Sequence, residues 1–168
     1  IITLEIVSGD LQEQAVGKQI AQPLVVRTSR GEYPEQGLTV QFSIESGDAL
    51  FGESNFIETI TDENGEAFAS LTLGTTPGEV IVKASVESAV PLSFTITSVP
   101  DTASQLILVS GANQSAEPGQ QLPEQLVVKA LDLFDNPVPL VAIEFQALDG
   151  GTILSENPTR TDSLGLVD

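Results

Sequence analysis

Cysteine, histidine, methionine and tryptophan do not occur in these 168 residues, and lysine and arginine together occur only six times. Each absence closes off a class of function. Without His or Cys there is no Ser-His-Asp or Cys-His machinery and no histidine- or thiolate-held metal. Without Cys there are no disulfides, so any stability must come from the core and the backbone ladders. One Tyr and seven Phe leave few platforms for the sugar rings that a carboxylate-pair glycosidase would have to hold. No G-x-x-x-x-G-K-[ST] phosphate loop is present. Intrinsic enzyme activity is therefore not expected. No apolar run approaches the roughly 18 residues of a membrane-spanning helix, and no signal peptide opens the chain. Ile1 already belongs to a strand-like run, the pattern expected of a segment cut from something longer.

Acidic residues are plentiful. Twenty-four Asp and Glu against six Lys and Arg give a net charge of −18. Residues 1–100 hold 14 acidic and 4 basic side chains (−10), and residues 101–168 hold 10 and 2 (−8), so the acidity covers the whole surface. Such a surface repels phosphate backbones and anionic lipid heads, which excludes nucleic acid and direct membrane insertion from the expected partners. It could attract cations.

The chain repeats itself. Val7-Ser8-Gly9 recurs as Val109-Ser110-Gly111, Gly17 as Gly119, and Leu24-Val25-Val26-Arg27 as Leu126-Val127-Val128-Lys129, each at an offset of 102 (110 − 8). Further on, Val40-Gln41-Phe42 answers Ile143-Glu144-Phe145, and Thr61-Asp62 with Gly65 answers Thr161-Asp162 with Gly165. A drift of one or two residues is what loop insertions and deletions produce. The period is that of a domain, longer than a solenoid repeat. Two domains are expected, 1–100 and 101–168, with Ser98-Val99-Pro100-Asp101-Thr102-Ala103 between them. A link this short permits bending but little independent tumbling, so a rod of two end-to-end domains is expected.

Period two dominates within each copy. Leu38, Val40, Phe42 and Ile44 alternate with Thr39, Gln41, Ser43 and Glu45, as in a half-buried strand. Leu4/Ile6, Ala67/Ala69/Leu71/Leu73, Val80/Val82/Ala84 and Leu92/Phe94/Ile96 follow the same rule, while the denser Leu24-Val25-Val26 suits a central strand. Most of the phenylalanines fall at strand positions expected in the core. Asn64-Gly65 predicts a hairpin turn with positive φ, and Pro77-Gly78 and Asn136-Pro137 mark further turns. No helical periodicity is sustained. Roughly seven short strands per hundred residues predict an all-β fold of tandem immunoglobulin-like β-sandwiches. The second copy is expected to be truncated: Asp168 corresponds to Phe68, so counterparts of residues 69–97, three strand signals, are missing. Such a sandwich would expose core and strand edges, to be covered by further chain or by a strand from another molecule.

The ordered series Val7-Ser8-Gly9, Gly17, Pro23-Leu24-Val25-Val26, Val40-Gln41-Phe42, Thr61-Asp62-Glu63-Asn64-Gly65-Glu66-Ala67, Leu71-Thr72-Leu73-Gly74 and Gly78 resembles the bacterial immunoglobulin-like domain of the invasin and intimin group. Asp132-Leu133-Phe134-Asp135-Asn136-Pro137-Val138-Pro139 is similar to that family's Asp-x-x-Gly-Asn-Pro-Val-Pro turn, with Asp135 where glycine is usual. The first copy departs from it, carrying the one-residue-shorter Arg30-Gly31-Glu32-Tyr33-Pro34. The resemblance implies a stalk segment of an exported surface adhesin, anchored in the outer membrane in the full-length protein. Its neighbours would be other immunoglobulin-like domains, with any host protein or glycan contacted through other domains. Fold does not fix role. An accessory module of a large secreted polysaccharide-acting enzyme, or a filament subunit completed by donor-strand exchange, would carry the same domains.

Few residues qualify as a site. Asp62, Asn64 and Glu66 superficially match the first ligands of an EF-hand, but Ala67 and Leu73 stand where its Gly and bidentate Glu are required. Asp132, Asp135 and Asn136, with Asp101 at the junction, could hold calcium weakly and stiffen the joint. No other cofactor is indicated. Lys83 and Lys129 are the lysines within strands that an isopeptide cross-link would need buried, and alternation points both toward solvent. Asn113-Gln114-Ser115 fits a glycosylation triplet, which the bacterial resemblance leaves without use.

Overall fold

The computed structural model describes residues 1–153 and 156–167. Asp168, set against Phe68 in the repeat, lies outside them. Every named element is a β-strand, and the fold is all-β and immunoglobulin-like. The chain divides into two compact units, Ile1–Val99 and Pro100–Asp168.

The first unit carries eleven strand segments: β1 Ile2–Ser8, β2 Gln12–Ala15, β3 Leu24–Arg30, β4 Tyr33–Pro34, β5 Thr39–Ser46, β6 Ala49–Leu50, β7 Phe56–Ile60, β8 Glu66–Ala69, β9 Thr72–Leu73, β10 Gly78–Val86 and β11 Leu92–Val99. One sheet runs β1-β3-β4 with β8 also on β3; the other runs β2-β11-β10-β5-β7; β6 and β9 pair separately. All pairings are antiparallel apart from β2 on β11, where Ile96 to Val99 align with Gln12 to Ala15.

Alternation along the strands builds the core between the sheets. Leu24 and Val26 from β3 meet Val40 and Phe42 from β5, Val80, Val82 and Ala84 from β10, and Phe94 and Ile96 from β11, all at most 1% exposed. Val25 points to the other face of β3 and is also buried, so Leu24-Val25-Val26 is central, as its density predicts. The phenylalanines depart from expectation. Phe42, Phe51 and Phe94 are buried, whereas Phe56, Phe68 and Phe134 are 48%, 47% and 37% exposed. Phe68 sits on β8 at an outward register position, opposite Val25.

The Asn64-Gly65 turn is also not a hairpin between paired strands. It joins β7 in one sheet to β8 in the other, so it turns a corner of the sandwich. Only Gly65 has positive φ there (75°), in a tight turn closed by Gly65 N–H to Asp62 O at 2.9 Å.

The second unit carries β12 Gln105–Ser110, β13 Val127–Leu131, β14 Ala142–Ile143, β15 Thr159–Arg160 and β16 Leu166–Val167. Its sheets are β12-β13-β16 and β14-β15. The register copies the first unit. Leu106 faces Ala130 and Ser110 faces Val127 after a bulge, as Leu4 faces Thr28 and Ser8 faces Val25 after a bulge. Val128 faces Val167 as Val26 faces Ala67. Burial differs. Leu4 and Ile6 pack on the first unit's core, while their counterparts Leu106 and Leu108 are 56% and 55% exposed. In the first unit β11 lies against β1.

Candidate functional site

The polar side chains that stand out in the sequence are placed by three copies of one turn. In each, an Asp leads, its N–H bonds the carbonyl four residues on, and the fourth residue returns an N–H to the Asp carbonyl. These bonds are 2.9 and 2.9 Å at Asp62, 2.9 and 3.3 Å at Asp132, and 2.9 and 3.0 Å at Asp162. The Asp carboxylate then caps the turn from inside. Asp62 Oδ1 accepts the N–H of Asn64 and Glu66, Asp132 Oδ1 those of Phe134 and Asn136, and Asp162 Oδ1 those of Leu164 and Leu166, all at 2.8–2.9 Å. A short carboxylate two bonds from its own backbone is suited to this and a longer Glu is not.

The fourth residue takes positive φ each time: Gly65 at 75°, Asp135 at 65° and Gly165 at 72°. Glycine enters that region freely, and Asp does so at some cost. Asp135→Gly is therefore expected to raise the second unit's stability by about 0.5–1 kcal/mol, the relief of the left-handed conformation less the freedom glycine adds to the unfolded chain. Urea denaturation monitored in the second unit checks this. A loss would mean that the exposed 3.3 Å contact from Gln105 Nε2 to Asp135 Oδ1 matters more than the backbone.

Threonines precede two of the turns and lock them to the neighbouring loop. Thr61 Oγ1 donates to Glu35 O (2.8 Å) and accepts Leu38 N–H (3.0 Å). Thr161 Oγ1 donates to Val138 O (2.8 Å) and accepts Val141 N–H (2.9 Å). Both are buried, where an unpaired hydroxyl would be costly.

A second recurring fixture escaped the sequence reading. Gln12 Nε2 donates to Gly9 O and Gln22 O (2.7 and 2.9 Å), and its Oε1 accepts Gln22 N–H at 3.1 Å. Gln114 does the same with Gly111 O, Glu124 O and Glu124 N–H at 2.8, 2.8 and 2.9 Å. The signal was present: the two glutamines stand 102 apart, like Ser8 and Ser110.

The four candidate calcium residues do meet, in a particular way. Asp132 is fully buried. Its Oδ2 accepts Asp101 N–H and Asn136 Nδ2, both at 3.0 Å, beside the two backbone donors on Oδ1. Burial pushes its pKa up, but the hydrogen bonds from the Asn136 side chain and from the backbone of Asn136, Asp101 and Phe134 outweigh this and hold it below the ordinary value. Asp101 turns its own Oδ1 to Thr102 N–H (2.8 Å), and Asp135 faces Gln105. The arrangement is a carboxylate ringed by N–H donors, the inverse of an oxygen cage around a cation. Asp62 is capped by N–H groups likewise. Among the described residues, no three His, Cys, Asp or Glu gather as a metal-ligand set.

Lys83 and Lys129 both lie on strands. Lys83 Nζ is 3.1 Å from Glu45 Oε1, both side chains 40% or more exposed, and Lys129 is half-buried on β13. An open depression on the first unit is lined by Glu5, Arg27, Ser29 and Glu66. Arg27 there pairs with Glu66 and, at 3.3 Å, with Glu5, so its guanidinium is already matched by carboxylates. Asn113, first of the glycosylation triplet, takes positive φ (55°) in a loop.

No protein-family model and no curated protein matches the chain. Among solved structures it is similar to the D0-D1 domain of intimin, with 21% identity and a TM-score of 0.44 over 99% of this chain and 80% of that one. It is also similar to the C-terminal 282-residue fragment of intimin in complex with the intimin-binding domain of the translocated intimin receptor. That match has 23% identity and a TM-score of 0.44 over 75% of this chain, and the chain spans 44% of that fragment.

Proposed function

We propose that the chain is a non-catalytic spacer segment of a bacterial cell-surface or secreted adhesin, partnered by neighbouring immunoglobulin-like domains. The observation that carries this reading is where the polar chemistry goes. Asp62, Asp132 and Asp162, Gln12 and Gln114, Thr61 and Thr161 all bond the chain's own backbone. Side chains committed to turns are unavailable to bind or transform a substrate. The order of motifs shared with the invasin and intimin group supports a stalk, and the −18 charge supports a surface that stays solvated and resists self-association. Binding of a host protein or glycan falls to other domains of the same protein.

A domain exchange tests this. In the gene that encodes the segment, the two units are replaced by two unrelated immunoglobulin-like domains, and adhesion of cells displaying the protein is measured. A spacer tolerates the exchange, so adhesion should return to the parent level after falling on outright deletion. Adhesion lost on exchange as on deletion would overturn the role and assign a binding surface to these units.

A further inference from the structure

The chain passes from the first unit to the second through Val99, Pro100 and Asp101. In the first unit, Val99 is still paired with Ala15, and its carbonyl accepts Val16 N–H at 2.9 Å. In the second, Asp101 N–H donates to Asp132 Oδ2 at 3.0 Å and Ser104 N–H to Leu131 O at 2.8 Å. Between them stands Pro100, which has no N–H to give and whose ring fixes φ near −65°. It also confines the residue before it to extended backbone, which Val99 adopts as the last residue of β11.

The anchor for Asp101 is unusually well held. Asp132 is fully buried, and three N–H groups of its own turn fix its carboxylate: Phe134 N, Asn136 N and Asn136 Nδ2, at 2.8, 2.9 and 3.0 Å. A charged acceptor shielded from water makes a stronger bond than a neutral or exposed one. Thr102, Ala103 and Ser104 are themselves exposed, so side-chain burial does little to order them. Sequence position does not announce the contact either, since the donor and the acceptor are 31 residues apart. At the position 102 residues earlier the first unit has Arg30, paired instead with Glu35.

We infer that Asp132 is a clasp on the linker. It ties residues 101–104, at the start of the second unit, into that unit's fold. Asp132 is thus a positioning residue for the connecting chain, in addition to capping its own turn. The clasp goes beyond the spacer reading and holds whatever the segment's task.

Amide exchange followed by nuclear magnetic resonance on the 168-residue chain tests it. The Asp101 amide should exchange at least about tenfold more slowly than in an open chain, the protection expected of a hydrogen bond to a charged, buried acceptor. In Asp132→Asn, one oxygen can still cap Phe134 and Asn136, while an NH₂ group replaces the acceptor facing Asp101. Exchange of Asp101 should then accelerate by roughly tenfold, with the amides of Phe134 and Asn136 keeping their protection. Asp62→Asn, the same change in the first unit's turn, should leave Asp101 untouched. An Asp101 amide that exchanges at the open-chain rate in the parent overturns the clasp. So does an Asp101 rate that Asp132→Asn leaves unchanged. The parent measurement decides the matter even where the variant fails to fold.

Discussion

Replacing Phe42 with alanine should lower the first unit's unfolding free energy by about 3–5 kcal/mol, the range for emptying a buried phenylalanine site. Phe42 is 0% exposed on β5, and its ring lies 6.3 Å from that of Phe94 on β11, tilted by 40°. β10 runs between the two strands, and the residue it sets opposite Phe42 is Ala84, small enough for the rings to meet across it. The substitution therefore removes apolar burial, breaks an aromatic pair worth about 0.5–1.5 kcal/mol beyond its area, and opens a void. The backbone hydrogen bonds of β5 to β7 and β10 hinder collapse into that void. Against a typical domain stability of about 5–15 kcal/mol, the loss is a large share. Phe68→Ala is the control. Its ring is 47% exposed on the outer face of β8, so the loss should stay below about 1 kcal/mol, the scale of surface changes. Equal losses in urea denaturation would refute the division of these two phenylalanines between core and surface.

That contrast also marks how far the sequence could be read. Alternation identified β5, β10 and β11 and their inward residues, because in a two-layer fold each strand has one dry face and period two reports it directly. It could not say which layer an edge strand joins. β7 and β8 look like a hairpin because Asn64-Gly65 sits between them, but the corner they form is decided by their pairing with β5 and β3, which the turn itself does not report. Phe56 and Phe68 misled for a related reason: a large ring in a strand signals a pleated surface, and edge strands have two such surfaces, one of them wet. Among candidate site residues, Asp132 was legible as part of a turn through the motif that carries the resemblance. The bond from Asp101 to Asp132 was not, and neither were the glutamine fixtures. Side chain to backbone bonds across 10 or 31 residues leave no periodic trace, and only the equal spacing of Gln12 and Gln114 within the repeat could have pointed to them.

Gly65→Ala and Gly165→Ala should each destabilise their unit by more than about 2 kcal/mol, since a left-handed conformation costs an L-residue about 1–3 kcal/mol before any crowding is added. Crowding is present at both. A methyl group on Gly65 would overlap the carbonyl oxygen of Thr28 and come within 3.2 Å of Glu35 N and Pro34 Cβ. On Gly165 it would stand 2.6 Å from Ala130 O, with Val138 N and Pro137 Cβ at 3.1 and 3.2 Å. In both units these neighbours are backbone or a proline ring, which cannot swing aside as a long side chain would. They also take part in the bonds that seat the turn: Thr28 N–H to Gly65 O and Ala130 N–H to Gly165 O, each 2.8 Å, with Glu35 N–H to Thr28 O and Val138 N–H to Ala130 O at 3.0 Å. Relieving the overlap means lifting the turn from its neighbouring strand and giving up that ladder. Asn64→Ala, one residue earlier and exposed, keeps the conformation and meets no such wall, so it should change stability by no more than about 0.5 kcal/mol. Denaturation of all three variants separates the effects. If Gly65→Ala costs no more than Asn64→Ala, the turn is not seated against β3 and β4, and the shared architecture argued for the two units loses its common joint.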